Sequence, residues 1–423
     1  MKTYRCLSLA LACSLSAACD KSLEENRDAS VRDASVRDAT TLLDSGSRDA
    51  AVERDASLDA AIGLDATPGD ADPMDIGSVD GGPPGRVIHE ATLLNDGRVL
   101  ITGGVAAATL NTAAIYDPAL GSFSRTTGDM VSPRRFHAST LLADGRVLLT
   151  GGMADGNDVF NTAEVFDPAT GLFTATSTFG VPRRQHNAVL LPSGEVLLAA
   201  GFNRTEGSLQ SAEIYAADLR SSRRIASPQA EAGARALVEL LDGRFLVAGG
   251  HRGAEVKEAE FFNPVDESFT RTGDMVVGVL RAAHARLADG RVFFAGGSTV
   301  NVVNALGQIF DPSTGLFTTT TGTMAVASQA RTANLLPSGQ VLVAGGYDAA
   351  GTALGAELFD PVTQTFRPAG PGFRARSNHS ATTLADGRVL IVGGGIDGVV
   401  TDNAQIYDPG TNTFSDTGPL PRN

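Results

Sequence analysis

The stretch Arg134 to Gly152, RRFHASTLLADGRVLLTGG, recurs in altered form along most of the chain. GRVIHEATLLNDGRVLITGG begins at Gly85 and ARSNHSATTLADGRVLIVGG at Ala375. The second residue of its closing Gly-Gly, or Ala-Gly, falls at Gly104, Gly152, Gly201, Gly250, Gly297, Gly346 and Gly394, in steps of 48, 49, 49, 47, 49 and 48 residues. Seven copies at so constant a spacing are copies of one supersecondary unit, which must stack on its neighbours to bury a core.

The second copy shows what the unit is. His137 to Ala143 is a run of apolar and small residues, and Asp144-Gly145 supplies a two-residue turn tolerant of positive φ. Arg146 to Thr150 (RVLLT) is a second strand, closed by Gly151-Gly152, where the backbone of a neighbour can approach. A polar loop leads to Ala163–Phe166, the turn Asp167-Pro168-Ala169-Thr170-Gly171, and a last strand around Phe173. Four short antiparallel strands form a sheet that cannot bury both faces alone. Sheets of this kind pack face to face around an axis, as in a propeller. Solenoids use shorter or helical units, and no helical period is present.

Gly-Gly after the second strand, an acid or amide two residues before an aromatic, Tyr/Phe-Asp-Pro, and an aromatic after Thr-Gly resemble kelch repeats. The opening R-x-x-H…L-x-D-G-R-V-L…G-G looks like that of bacterial kelch and galactose-oxidase-like propellers. The resemblance spans 86–423 and implies an all-β, seven-bladed kelch-type β-propeller with four antiparallel strands per blade. Where kelch repeats carry Trp in the fourth strand, this chain has Phe123, Phe173, Phe269, Phe317, Phe366 and Phe414, and it contains no Trp. The third copy is irregular, with Ala200-Gly201, no Asp-Pro turn, and a basic last strand (Arg220, Arg223, Arg224). Each blade is expected to be one continuous segment, so that the ring closes by packing blade one against blade seven.

Two segments precede the array. Residues 1–18 read as an export signal: Lys2 and Arg5, then the apolar run Leu7–Leu15, then Ser16-Ala17-Ala18. Leu15-Ser16-Ala17-Ala18-Cys19 resembles the lipobox of bacterial lipoproteins, with its large aliphatic residue one place too early, and implies Cys19 as a lipid-attachment site. Residues 19–85 are an acidic, low-complexity linker. Its Arg-Asp-Ala triplets at 27, 32 and 37 have a period that fits neither helix nor strand, and it holds too few apolar groups to offset chain entropy. It is expected to be a disordered spacer. All three Cys lie at or before Cys19, so the array must be stabilised by burial without disulfides.

The formal charge is −14, and the array contains a single Lys, Lys257. No basic face is available for nucleic acid. The expected location is outside the cytoplasm, membrane-anchored through the lipid alone or otherwise secreted, as a monomer.

Candidate functional residues concentrate where each unit begins. His89, His137, His186 and His379 each stand seven residues before the hairpin turn, and Arg86, Arg134, Arg183 and Arg376 each stand three residues before the His. Blade five carries Arg281 and His284, two residues nearer its turn, and blades four and six have Arg235 and Arg331 at the His position. First strands line a propeller's axis, so these side chains gather at one mouth of the channel. Converging imidazoles could bind a transition metal, and converging guanidinium groups a carboxylate or acidic glycan. Alternatively, each Arg is a building device, buried against the third-strand residue Glu164, Glu213, Glu260 or Glu357, or Gln308 or Gln405 in two copies, with Ala114 in the first.

Galactose and glyoxal oxidases place copper-binding His at this motif position, so the resemblance invites copper radical chemistry. That cofactor needs a Tyr cross-linked to a Cys, and no Cys follows Cys19. The residues before the four His are Ile88, Phe136, Gln185 and Asn378 rather than the Tyr of those oxidases. No hydrolase elbow, zinc-protease helix or phosphate loop is present. Asp155-Gly156-Asn157-Asp158 matches only a fragment of a calcium loop. The reading is therefore a non-catalytic binding or scaffold module for a protein or glycan, with no cofactor, recognising its partner through the variable loops 105–112, 153–162, 202–210 and 347–354. The alternative is a carbohydrate-active or metal-binding site at the His/Arg mouth.

Overall fold

A computed structural model describes residues 85–421, apart from 157, 230, 231, 234, 253, 300, 301, 397 and 398. The expected signal segment, Cys19 and the linker up to residue 84 lie outside the described residues. Seven four-stranded antiparallel sheets follow one another, each built from one continuous segment. Blade two, for example, comprises Ala138–Leu141, Val147–Thr150, Ala163–Asp167 and Leu172–Ala175. No helix occurs among the described residues. The chain is the seven-bladed propeller expected.

The second strands explain the packing. Val147, Leu148 and Leu149 are all fully buried, and side chains alternate between faces along a strand. Val147 and Leu149 pack with Leu100 and Ile115 of blade one, whereas Leu148 packs with Val196 and Leu198 of blade three. Both sheet faces are thus interior, and each buried Val or Leu contributes about 1.5–3 kcal/mol relative to exposure. The same alternation closes the ring: Val99 and Ile101 of blade one pack with Leu390 and Val392 of blade seven. Backbone bonds from Ile88 N to Asn378 O (3.2 Å) and from Gly418 N to Gly121 O (3.1 Å) complete the seam. The fourth-strand Phe fills the place of the kelch Trp by packing on the third-strand aromatic. Ring centroids are 4.8 Å apart for both Tyr116–Phe123 and Phe166–Phe173, and 4.7 Å for Tyr407–Phe414.

The Asp-Gly hairpin differs from the two-residue turn expected. Gly145 N donates to Leu142 O (3.0 Å) and Leu142 N to Arg146 O (2.8 Å), so the loop is Ala143-Asp144-Gly145 with only Gly145 at positive φ (87°). This is a three-residue hairpin ending in a glycine bulge. Asp144 then accepts hydrogen bonds from both Arg146 N (3.0 Å) and Arg146 Nε (2.7 Å), which accounts for the Asp-Gly-Arg triplet. In blade three, the basic edge is held from next door, by ion pairing of Arg223 with Glu267 of blade four.

Candidate functional site

The repeated Arg is a clamp within its own blade. Arg134 pairs with Glu164 at 2.7 Å, both side chains 1% exposed, and donates to Gly151 O (2.7 Å) and Thr162 O (3.4 Å). Those two carbonyls flank the loop that follows Gly-Gly, so the guanidinium ties its ends together. Arg183 repeats this with Glu213, Ala200 O and Ser211 O, and Arg376 with Gln405, Gly393 O and Asn403 O. The third-strand acid also receives the strand-to-blade crossover: Val131 N donates to Glu164 (2.6 Å) and Gly180 N to Glu213 (2.7 Å). Arg235 and Arg331, although at the His position, reach the same third-strand acid, Glu260 (2.7 Å) and Glu357 (3.1 Å); Arg235 also donates to Glu258 O (2.9 Å), whereas Arg331 turns to the Ser328 hydroxyl. Arg86 donates to Gly103 O and to both the carbonyl and the hydroxyl of Thr112, and Ala114 stands where the acid would be; burial, with Arg125 nearby, lowers it to about 10.

The repeated His joins neighbouring blades. His137 Nε2 lies 2.9 Å from the Thr102 hydroxyl of blade one, His186 Nε2 2.9 Å from Thr150 of blade two, and His379 Nε2 3.1 Å from Thr332 of blade six. His89 Nε2 lies 2.8 Å from Ser380 across the ring seam. Each imidazole sits in a slot that two Gly-Gly pairs create. A Cβ on Gly103 would stand 3.1 Å from the His137 ring and 2.3 Å from Arg134 O, and one on Gly152 would stand 2.9 Å from His137 Cβ. Burial, reinforced by the adjacent Arg, holds His89 and His379 down at about 3 and His137 and His186 well below the usual imidazole value. All four are neutral at physiological pH.

Blade five does not contain the same pair displaced by two residues. Arg281 has φ 56°, matching Ile88 (57°), Phe136 (55°), Gln185 (50°), Ala330 (54°) and Asn378 (52°), so it occupies the position just before the His. Ala282 takes the His place. His284 lies within the first strand, opposite Phe294, with ring centroids 6.0 Å apart.

That left-handed position is what sequence reasoning missed. Its side chains line a cavity of about 300 Å³ at the channel mouth: Ile88, Phe136, Gln185, Arg281, Ala330 and Asn378, joined by His89, His379 and Arg331. The available signal was variability, since between the Arg and the His of the four copies that carry both, this residue reads Ile88, Phe136, Gln185 and Asn378. Of the eight candidate residues, His89 and His379 reach the cavity lining; His137, His186 and the four Arg do not. Around the rim, loops are laced to neighbours: Thr109 Oγ1 donates to Asp155 (2.6 Å), and Ser208 Oγ to His251 O (2.7 Å). Asp155, read as part of a calcium-loop fragment, thus spends its carboxylate on Thr109.

Residues 375–421 match the kelch motif. The seventh blade is a kelch repeat. No curated protein matches the chain in sequence. Among solved structures, a fungal alcohol oxidase of the AA5 family, determined in complex with copper, superposes with a TM-score of 0.60 at 18% identity, covering 74% of this chain and 70% of its own. This likeness is one of fold. Copper does not fit the residues here: the Nε2 atoms are engaged by hydroxyls, and no three His, Cys, Asp or Glu converge among the described residues.

Proposed function

We propose that this kelch-type propeller is a non-catalytic binding module that seats a glycan or protein on the face bearing the loops after Gly-Gly, over the axial cavity. The carrying observation is the cavity itself. Its lining is blade-specific, while the repeated Arg and His around it are committed to holding blades and loops together. Laced loops on a rigid ring keep the entropic cost of binding low. A second reading, a carbohydrate-active site, draws on His89 and His379, which face the cavity. We further propose that the chain is exported and anchored through a lipid on Cys19, on the strength of Leu15–Cys19, with the acidic linker as a tether.

Affinity electrophoresis of the full chain through gels containing neutral or acidic polysaccharides tests glycan binding. The probe variant is Ala330→Phe, which fills the cavity with a residue that Phe136 already carries in the same backbone conformation. Retardation in at least one gel, lost in the variant, is expected. Migration unaffected by every polysaccharide, or retardation equal in both proteins, overturns glycan binding at the mouth. Turnover of a retarding polysaccharide that is lost in His379→Gln would favour the second reading. Mass spectrometry of the mature N-terminus, with Cys19→Ala as control, tests the anchor.

A further inference from the structure

We infer that the cavity selects sugars bearing a carboxylate, and that Arg281 is the residue that reads it; this rests on the proposed binding function. The charge around the mouth leads to Arg281. Arg331 is consumed by Glu357 at 3.1 Å, and the His89 and His379 imidazoles are uncharged at neutral pH. Arg281 is half-buried, and among the described residues its side chain makes one hydrogen bond, a long 3.4 Å contact from Nη1 to the Tyr347 hydroxyl. Among the described residues no carboxylate lies within ion-pairing distance of it. A cavity in a chain of net charge −14 therefore presents one uncompensated cation.

The position is specific to one blade. Equivalent places carry Ile88, Phe136, Gln185, Ala330 and Asn378, so the repeat itself does not demand a base there. A guanidinium offers a planar fork that matches a carboxylate, and partial burial strengthens the pairing. The Gln185 and Asn378 amides supply both donors and acceptors, as hydroxyl groups require. Phe136, on the other side of the ring, supplies an apolar face and is backed by Arg184, whose guanidinium carbon is 6.0 Å from the ring centroid. A volume of about 300 Å³ is at the small end for ligand sites and suits a sugar ring better than a folded partner. Cation, amides and aromatic face together describe a site for a uronic acid, free or as the end of an acidic glycan.

Calorimetric titration of the full chain with glucuronate, galacturonate, glucose and galactose tests this, using wild type, Arg281→Ala, Arg281→Lys and Ala330→Phe, with Arg388→Ala on the far hairpin as control. Uronates are expected to bind at least tenfold more tightly than their neutral counterparts. Arg281→Ala should bring them to the neutral level, Arg281→Lys should recover part of the difference, and Arg388→Ala should leave it intact. A disaccharide ending in glucuronate, binding more tightly than free glucuronate, would identify a glycan terminus as the source. Equal binding of uronates and neutral sugars, or undiminished uronate binding in Arg281→Ala, overturns carboxylate recognition, while loss of that binding in Ala330→Phe would still uphold the mouth as a binding site. Absence of heat with all four sugars overturns this inference, and retardation in the polysaccharide gels then decides the broader reading separately.

Discussion

His137 of blade two and Thr102 of blade one share a buried hydrogen bond of 2.9 Å, and the same bond joins His186 to Thr150. The imidazoles that a metal would have required are instead the pins between sheets. Burial keeps them neutral, so their folded values lie below the unfolded value of 6.5. The sign follows: the stability they protect is fully present above pH 6.5 and is lost as pH falls, because the unfolded chain takes up protons that the folded one refuses. Each such His should cost about 1 kcal/mol per pH unit below that value. Thermal unfolding followed from pH 7.5 to 5 should show a steep fall in Tm, shallower in His137→Gln, even though that variant starts lower at pH 7.5. A flat profile would mean that the imidazoles take up protons as readily in the fold as in the unfolded chain.

Glu164 separates two roles that Gln405 combines differently. In blade seven, Gln405 accepts from Arg376 Nη2 (3.1 Å) and Arg374 N (3.0 Å) with no charge, and burial lowers Arg376 to about 10. The geometry therefore tolerates an amide. Glu164→Gln should cost about 1–2 kcal/mol, whereas Glu164→Ala, which strands both Arg134 and the crossover amide of Val131, should cost about 3–5 kcal/mol. Chemical denaturation measures both. Equal losses would show that the charge, not the hydrogen bonding, holds the clamp.

The position of the hairpin turn and the Gly-Gly pair were legible in the linear repeat because each sits at a fixed offset in most copies, and the Arg–Glu clamp was legible as an alternative where Arg134–Glu164 and Arg183–Glu213 repeat one spacing. Period and strand count determine the blade number for the same cause. The axial cavity was hidden by the same logic. Its lining residue changes from Ile88 to Phe136 to Gln185 to Arg281, and variation inside a periodic pattern reads as noise until the shared positive φ aligns it. Arg281 and His284 show the hazard directly: matched by spacing alone they mimic the Arg–His pair, and only the backbone reveals that Arg281 stands one place before an absent His. Nor could spacing show that His137 points its Nε2 at a neighbouring hydroxyl rather than at the axis.

Two glycines of similar φ should respond very differently to a methyl group. Gly243 (φ 83°) has nothing within 4 Å of an added Cβ, so Gly243→Ala carries only the left-handed backbone penalty, about 1 kcal/mol. Gly152 (φ 88°) would place its Cβ 2.6 Å from Arg135 O and 2.9 Å from His137 Cβ. Neither neighbour is the free end of a side chain, so the slot must open. Gly152→Ala should cost more than about 3 kcal/mol or abolish folding. A Tm equal to that of Gly243→Ala would refute the close approach of Gly152 to the start of its own blade's first strand.

Glu90 opens the first strand of blade one and titrates against the histidines. Burial raises its carboxyl to about 7. With a folded value above the unfolded one, its contribution is absent at low pH; the penalty grows as pH rises from about 4.5, while the unfolded chain ionises first, and levels off above 7. Glu90 remains partly exposed, so solvent screening reduces the full shift to a penalty of about 1–2 kcal/mol at pH 8. Glu90→Gln should therefore stabilise the propeller at pH 8 by about that amount and leave it unchanged at pH 4.5. Because the histidine term acts in the opposite direction, the wild-type chain should show a stability maximum near neutrality, and the variant should move that maximum to higher pH. Unfolding curves of the two proteins across pH 4.5 to 8.5 decide the matter: parallel curves would place the Glu90 carboxylate in water, ionised throughout.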